Sequence, residues 1–254
     1  TVVEAFVAKA DLLAASPAYS DQSGVDWKTA AASAAKVLNH IGGVDGMDPT
    51  GWTWYCNVDD IEKLSPTESP AEILWRGERA KSLSLEEDNF PPTLYGNGRI
   101  NPTQNLVDAF PMLNGYPVSH LSGEYDENLP YANRDPRLEA YILYNGCKAG
   151  NTNKEIFTAA DGTTNDALNK VVGRSTRTGY YLRKLLRQDI SLDPNAKADQ
   201  YHYTPRIRYT EIFLAYAEAA NQAYGPQDKG GNGYSAYDVV KKLRHRAGIG
   251  RDNG

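Results

Sequence analysis

Three aromatic residues fall within four positions at Trp52-Thr53-Trp54-Tyr55, and Asn57, Asp59 and Asp60 follow at once. Aromatic rings stack on the apolar faces of sugars while amides and carboxylates bond the hydroxyls, and a few such groups on a loop surface make a binding site. If the segment is extended, Trp52 and Trp54 share a side. The competing expectation is that one or more of these rings covers the top of a helical layer. Trp75 ends the apolar run Glu72-Ile-Leu-Trp75, which suits a buried strand, so it ranks below the triplet as a ligand contact. Tyr95, Arg99 and Asn101 form a second candidate group around the glycine-rich loop Tyr95-Gly-Asn-Gly98.

Catalytic and metal-binding patterns are absent from the sequence. It has no Gly-x-Ser-x-Gly elbow, no His-Glu-x-x-His helix and no Gly-x-x-x-x-Gly-Lys phosphate loop. The four histidines, His40, His120, His202 and His245, are dispersed and suit caps or surface positions. Asp59-Asp60 and Glu86-Glu87 are paired acids, but neighbours in sequence are usually solvated, and glycoside hydrolysis requires a spatial separation that the sequence does not give. Asp161-Gly-Thr-Thr-Asn-Asp166 lacks a complete EF-hand loop and is expected to be a polar turn. No enzyme activity, cofactor or metal is therefore expected.

With 27 basic and 32 acidic residues the net charge is −5, and no basic stripe tracks a phosphate backbone, which excludes nucleic acid as the expected partner. No apolar run is long enough to cross a bilayer, so any membrane attachment is expected outside this chain. Cys56 and Cys147 are either one disulfide or two thiols. Tyrosine is abundant, 17 residues against 5 Phe and 4 Trp, which suits a surface meeting polar partners or a moderately polar core.

The elements that must position these groups are helical at both ends. Residues 2–15 place Val3, Phe6, Ala10 and Leu13 on one face, and Ser16-Pro17 stops the run. Asp26 caps a second helix with Trp27, Ala30, Ala31, Ala34, Val37, Leu38 and Ile41 as its stripe, ended by Gly42-Gly43. Near the other end, from Arg206 onward, Tyr209, Ile212, Phe213, Tyr216, Ala219, Ala220 and Ala223 line one face of a helix that Gly225-Pro226 ends. A further helix starts at the N-cap Ser235, carries Ala236, Val239, Val240, Leu243 and Ala247, and closes with Arg244-His-Arg246. Between the hairpins, residues 72–75 and 138–144 are expected as strands, 102–110 as a short helix and 148–169 as a surface loop.

The pattern Glu211-Ile-Phe-Leu-Ala-Tyr-Ala-Glu-Ala, a glycine-rich loop and Leu243-Arg-x-Arg-Ala-Gly248 resembles the C-terminal signature of the SusD/RagB family. Pro102-Thr-Gln-Asn-Leu-Val-Asp-Ala-Phe110, Asn133-Arg-Asp-Pro-Arg137, Gly179-Tyr-Tyr-Leu-Arg-Lys184 and the Ala14-Ala-Ser-Pro17 stop with its Asp26-Trp27 restart resemble family segments too. The resemblance implies a mainly α fold: tetratricopeptide-like helical hairpins with an irregular loop-rich lobe and a few short strands. The expected division is a single domain, with a hairpin over 1–43, a ligand-binding lobe over 44–203 and a C-terminal hairpin over 204–254. It also implies a surface-exposed outer-membrane lipoprotein that binds oligosaccharide without catalysis and delivers it to a SusC-like TonB-dependent porin. Family members are longer, so the expectation is a fragment lacking the N-terminal part, with the lipid anchor outside it. Site residues vary with the ligand in this family, so Trp52, Trp54, Tyr55, Asn57, Asp59, Trp75, Tyr95 and Arg99 rest on their own chemistry. A tetratricopeptide-like module that binds only protein is the alternative.

Overall fold

A computed structural model describes residues 1–250. Its helices are α1 (Val2–Ala15), α2 (Ser20–Ser23), α3 (Trp27–Asn39), α4 (Val58–Glu62), α5 (Ser84–Asn89), α6 (Gln104–Ala109), α7 (Pro136–Tyr141), α8 (Tyr209–Tyr224) and α9 (Ala236–Arg246). The strands are β1 (Ile73–Ser82), β2 (Ile142–Leu143), β3 (Lys148–Ala149), β4 (Lys154–Glu155), β5 (Tyr181–Leu182) and β6 (Gln200–Arg208). They pair as three two-stranded ribbons, β1 with β6, β2 with β5 and β3 with β4. The fold is mainly α with a few short strands. The described residues form two compact units, one of residues 1–54, 64–78 and 204–246, the other of residues 55–63, 79–203 and 247–250.

The first unit gathers both hairpins. Helix α3 packs on α1 and on α8, and α8 on α9. The core between them is rich in alanine: Ala5, Ala8, Ala30, Ala31, Ala34, Ala219 and Ala220 surround Leu38, Phe213 and Tyr216. Small side chains let helix axes approach closely, so interdigitation rather than bulk fills this core. Asp26 caps α3 by accepting from the Thr29 N–H at 2.8 Å, and Ser235 with Asp238 forms a reciprocal cap on α9. The alanine core changes the reading of α1. Its inward residues are Ala5, Ala8 and Ala15, whereas Val3, Phe6 and Leu13 of the expected stripe are exposed. Val240 of α9 is likewise exposed.

Helix α8 begins three residues later than its pattern suggests, because Arg206 to Arg208 end strand β6. The start is set by Glu72. Its backbone carbonyl accepts from the Tyr209 N–H at 2.9 Å and its carboxylate from the Thr210 N–H at 3.1 Å, using donors left over by the first turn. The carboxylate is 1% exposed and also meets Arg208 Nη2 at 3.0 Å and Arg246 Nη1 at 3.4 Å. Burial lowers the Arg246 pKa, and the Glu72 charge opposes that shift.

Apolar cores of the second unit lie around Phe90, Leu143, Ile156, Tyr181 and Leu186 and around Val107, Leu138, Ile142 and Tyr180. Residues 138–144, expected as a strand, are mostly helix α7: Asp135 accepts from the Arg137 N–H and Pro136 occupies the first turn, leaving only Ile142–Leu143 extended. The expected surface loop of 148–169 contains the β3–β4 hairpin and the buried residues Ile156, Thr158, Asp166 and Ala167. Arg134 donates to the carbonyls of Pro130, Val107 and Phe110 at 2.7–2.8 Å, and Arg137 pairs with Asp135, which are structural roles. Cys56 and Cys147 are not joined as a disulfide, and burial pushes the Cys147 pKa up to about 11.

Two outcomes follow. Replacing Glu72 by Ala leaves two arginines without their buried partner and should cost about 3–5 kcal/mol in urea unfolding; a loss below about 1 kcal/mol would remove Glu72 from this role. Glu4 on α1 is bound by Lys36 of α3 at 3.1 Å and by His40, just past the end of α3, at 2.7 Å, and the Lys36 bond foremost draws its pKa from 4.5 to about 2. A depressed carboxylate contributes above its unfolded pKa, so this contribution should fade as pH falls from 4.5 towards 2. Thermal melts of wild type and Glu4→Gln should therefore converge over that interval.

Candidate functional site

The aromatic triplet is not exposed as a set. Trp54 and Tyr55 are each 4% exposed, and Trp52 is half-buried. Tyr55 Oη donates to the Ala140 carbonyl at 2.9 Å within the second unit. Trp52 and Trp54 end a segment of the first unit held by its backbone: Arg208 donates to the Gly51 carbonyl at 3.0 Å and Arg246 to the Asp48 carbonyl at 3.1 Å. A Cβ on Gly51 would stand 2.2 Å from Glu72 Oε2, so only glycine lets this loop lie against the buried carboxylate. Asn57 precedes α4 and its amide bonds Asp60, while Asp59 is exposed.

Trp75 reverses its expectation. It sits on β1 with 40% of its surface exposed and meets the exposed Phe6 ring edge-on at a centroid separation of 5.4 Å. Burial in that strand falls instead on Ile73.

Tyr95 offers the most developed arrangement. The short 3-10 turn Pro92–Leu94 delivers it into the left-handed region, φ 65° and ψ 15°, where a bulky side chain is rarely found. Its ring is 46% exposed, with the Lys154 ammonium 5.4 Å from its centroid. Both line a small cleft of about 140 Å³. Its floor is apolar, with Phe90, Leu94 and Ile190, and its polar groups are Asn151, Thr152, Ser191 and Asp193. The Asp193 carboxylate accepts from the Asn195 N–H at 2.9 Å, which fixes the loop that carries it. An exposed ring beside amide, hydroxyl, carboxylate and ammonium groups can stack on one face of a sugar and bond its edge.

Arg99 pairs with Asp88 at 3.1 Å and is exposed. Asn101 is consumed structurally, donating to the Gly98 carbonyl and accepting from the Arg177 N–H. The sequence pattern missed Asn151, Thr152, Lys154 and Asp193, which lie 56 or more positions from Tyr95; the visible signal was the polar turn Asn151-Thr-Asn153 within a stretch taken for a plain loop. Two polar residues also differ from expectation. Glu86 is fully buried, accepting from the Arg187 N–H at 2.8 Å, and His202 Nε2 lies 3.0 Å from its carboxylate.

An alanine-packed set of helical hairpins, joined in sequence to a loop-rich lobe with an aromatic cleft, defines a class of helical scaffold proteins. A family model described as the SusD family matches residues 74–251, and the chain belongs to that family. Among solved structures it resembles a SusD-like carbohydrate binding protein of Bacteroides fragilis, with 18% identity over 88% of this chain and a TM-score of 0.55. A second SusD-like protein of Bacteroides fragilis gives 23% identity over 87% of this chain and a TM-score of 0.61. The chain spans about half the length of these structures, 44% of each. No curated protein matches it.

The left-handed geometry at Tyr95 gives a stability test. Because this conformation costs an L-residue about 1–2 kcal/mol, Tyr95→Gly should unfold at a higher urea concentration than Tyr95→Ala. Equal or lower stability of the glycine variant would show that the backbone there is not constrained to φ 65°.

Proposed function

We propose that this chain is part of a cell-surface protein that holds an oligosaccharide without cleaving it and delivers it to a TonB-dependent, SusC-like porin in the outer membrane. Family membership supports the class of function, and the SusD-like carbohydrate binding protein of similar fold supports glycan as the ligand. The observation that carries the reading is the exposed Tyr95 ring beside Lys154, Asn151, Thr152 and Asp193. Trp75 and the half-buried Trp52 are further stacking surfaces of the first unit, while Trp54 and Tyr55 are buried. Asn57, Asp59 and Arg99 are polar candidates with less aromatic company. No described helix is long and apolar enough to cross a membrane, so attachment through a lipid anchor outside these residues accords with this reading.

A protein-only role is favoured by one observation, the exposed Val3, Phe6, Val7 and Leu13 of α1. Isothermal titration against a panel of soluble glycans separates the two. One glycan should bind, and Tyr95→Ala or Trp75→Ala should weaken it several-fold, since a stacked ring contributes on the order of 1 kcal/mol. Reducing ends should not accumulate during the titration. Absence of binding to every glycan would favour the protein-contact role, and release of reducing sugar would make the protein a hydrolase.

A further inference from the structure

The first unit contains a polar cleft that the glycan reading does not use. Residues 238, 241, 242 and 245 recur at helical spacing, so Asp238, Lys241, Lys242 and His245 share one face of α9. That face lines a cleft of about 580 Å³, whose other walls are the segment after α3, from Gly42 to Asp45, and the loop carrying Lys229 and Asn232.

Its charges are unevenly committed. Asp238 accepts from the Ser235 N–H at 2.8 Å, and this bond foremost lowers its carboxyl pKa. Lys229 and Lys241 depress it further from a distance, but among the described residues neither they nor Lys242 form an ion pair. Among the described residues of the lining Asp45 is the only other carboxylate, so three ammonium groups meet two acids.

Two side-chain nitrogens in this lining are also shielded from solvent and lack a hydrogen-bond partner, Asn232 Nδ2 and His245 Nε2. A buried polar nitrogen without a partner is unfavourable, so two in one cleft point to a missing hydrogen-bonding group. The Asn232 amide lies close enough to the Tyr216 hydroxyl to oppose the rise in its pKa that burial causes, and that hydroxyl donates to the Tyr234 carbonyl at 2.6 Å.

We propose that this cleft binds an oxyanion, the carboxylate of an acidic sugar or a free sulfate or phosphate, held by Lys229, Lys241 and Lys242 with hydrogen bonds from Asn232 and His245. The lysines supply charge, and the amide and imidazole fix the orientation of the oxygens. The inference stands apart from the glycan reading, because sulfate binding alone would support it.

The test is nuclear magnetic resonance of the whole chain titrated with sodium sulfate, sodium phosphate, glucuronate and glucose at constant ionic strength. Sulfate or glucuronate should shift the Asn232 side-chain amide and the His245 ring resonances saturably, and glucose should not. The double variant Lys241→Gln/Lys242→Gln, at half-exposed positions and with its fold checked by circular dichroism, should bind at least tenfold more weakly. Tighter binding of glucuronate than of sulfate assigns the cleft to an acidic sugar, and the reverse assigns it to a free anion. No saturable shift with any anion, equal binding of glucose, or undiminished binding by the double variant would overturn the proposal.

Discussion

The buried carboxylate of Glu72 is the constraint on which the first unit depends. It lies just before β1, satisfies the leading N–H groups of α8 and draws Arg208 and Arg246 together from the two ends of the α8–α9 hairpin. A buried ion pair gives weak evidence of net stability, because desolvation offsets the Coulomb attraction. Its contribution here is specificity. The same two arginines bond the carbonyls of Gly51 and Asp48, so one carboxylate fixes the strand entry, the helix start and the loop ending in Trp52 and Trp54. Arg246, which a sequence reading assigns to the helix dipole, is instead a long-range connector.

Helical stripes were the most legible part of the chain. Asp26 and Ser235 were visible as caps, and the buried face of α8 follows its three-and-four spacing. Helix α1 misled because periodicity reports which residues share a side, not which side faces inward. Its alanine side packs on α3, where larger residues would hold the axes apart. The abundant tyrosines divide between the two expectations. Tyr181, Tyr216 and Tyr180 are core residues whose hydroxyls bond Asp166, Tyr234 and Gln104. Tyr95 is the exposed kind.

The candidate site was half legible. Aromatic identity could be seen at Trp52, Trp54, Tyr55, Trp75 and Tyr95, but exposure is set by distant partners that local pattern does not contain. Tyr55 is drawn inward by the Ala140 carbonyl, 85 residues away, whereas Trp75 lies outward on a strand whose buried position is Ile73. The groups around Tyr95 come from the β3–β4 hairpin and the loop after Ile190, so their convergence is a property of topology.

Backbone conformation separates the two units in kind. Among the described residues the non-glycine positions with positive φ are Tyr95, Glu124, Asn133, Asn153, Asn169 and Leu185, and all six belong to the second unit. Asn and Asp-like side chains enter this region at low cost, which accounts for Asn133, Asn153 and Asn169, while an aromatic ring does so only where surroundings dictate it. The hairpins have no such positions, as expected of helices whose close alanine packing leaves little room for departure from regular geometry. Positive φ at residues other than glycine is thus found, among the described residues, in the unit with the irregular loops, where it aims individual side chains. Substitutions in those loops leave the alanine-packed helices and their Glu72 anchor untouched.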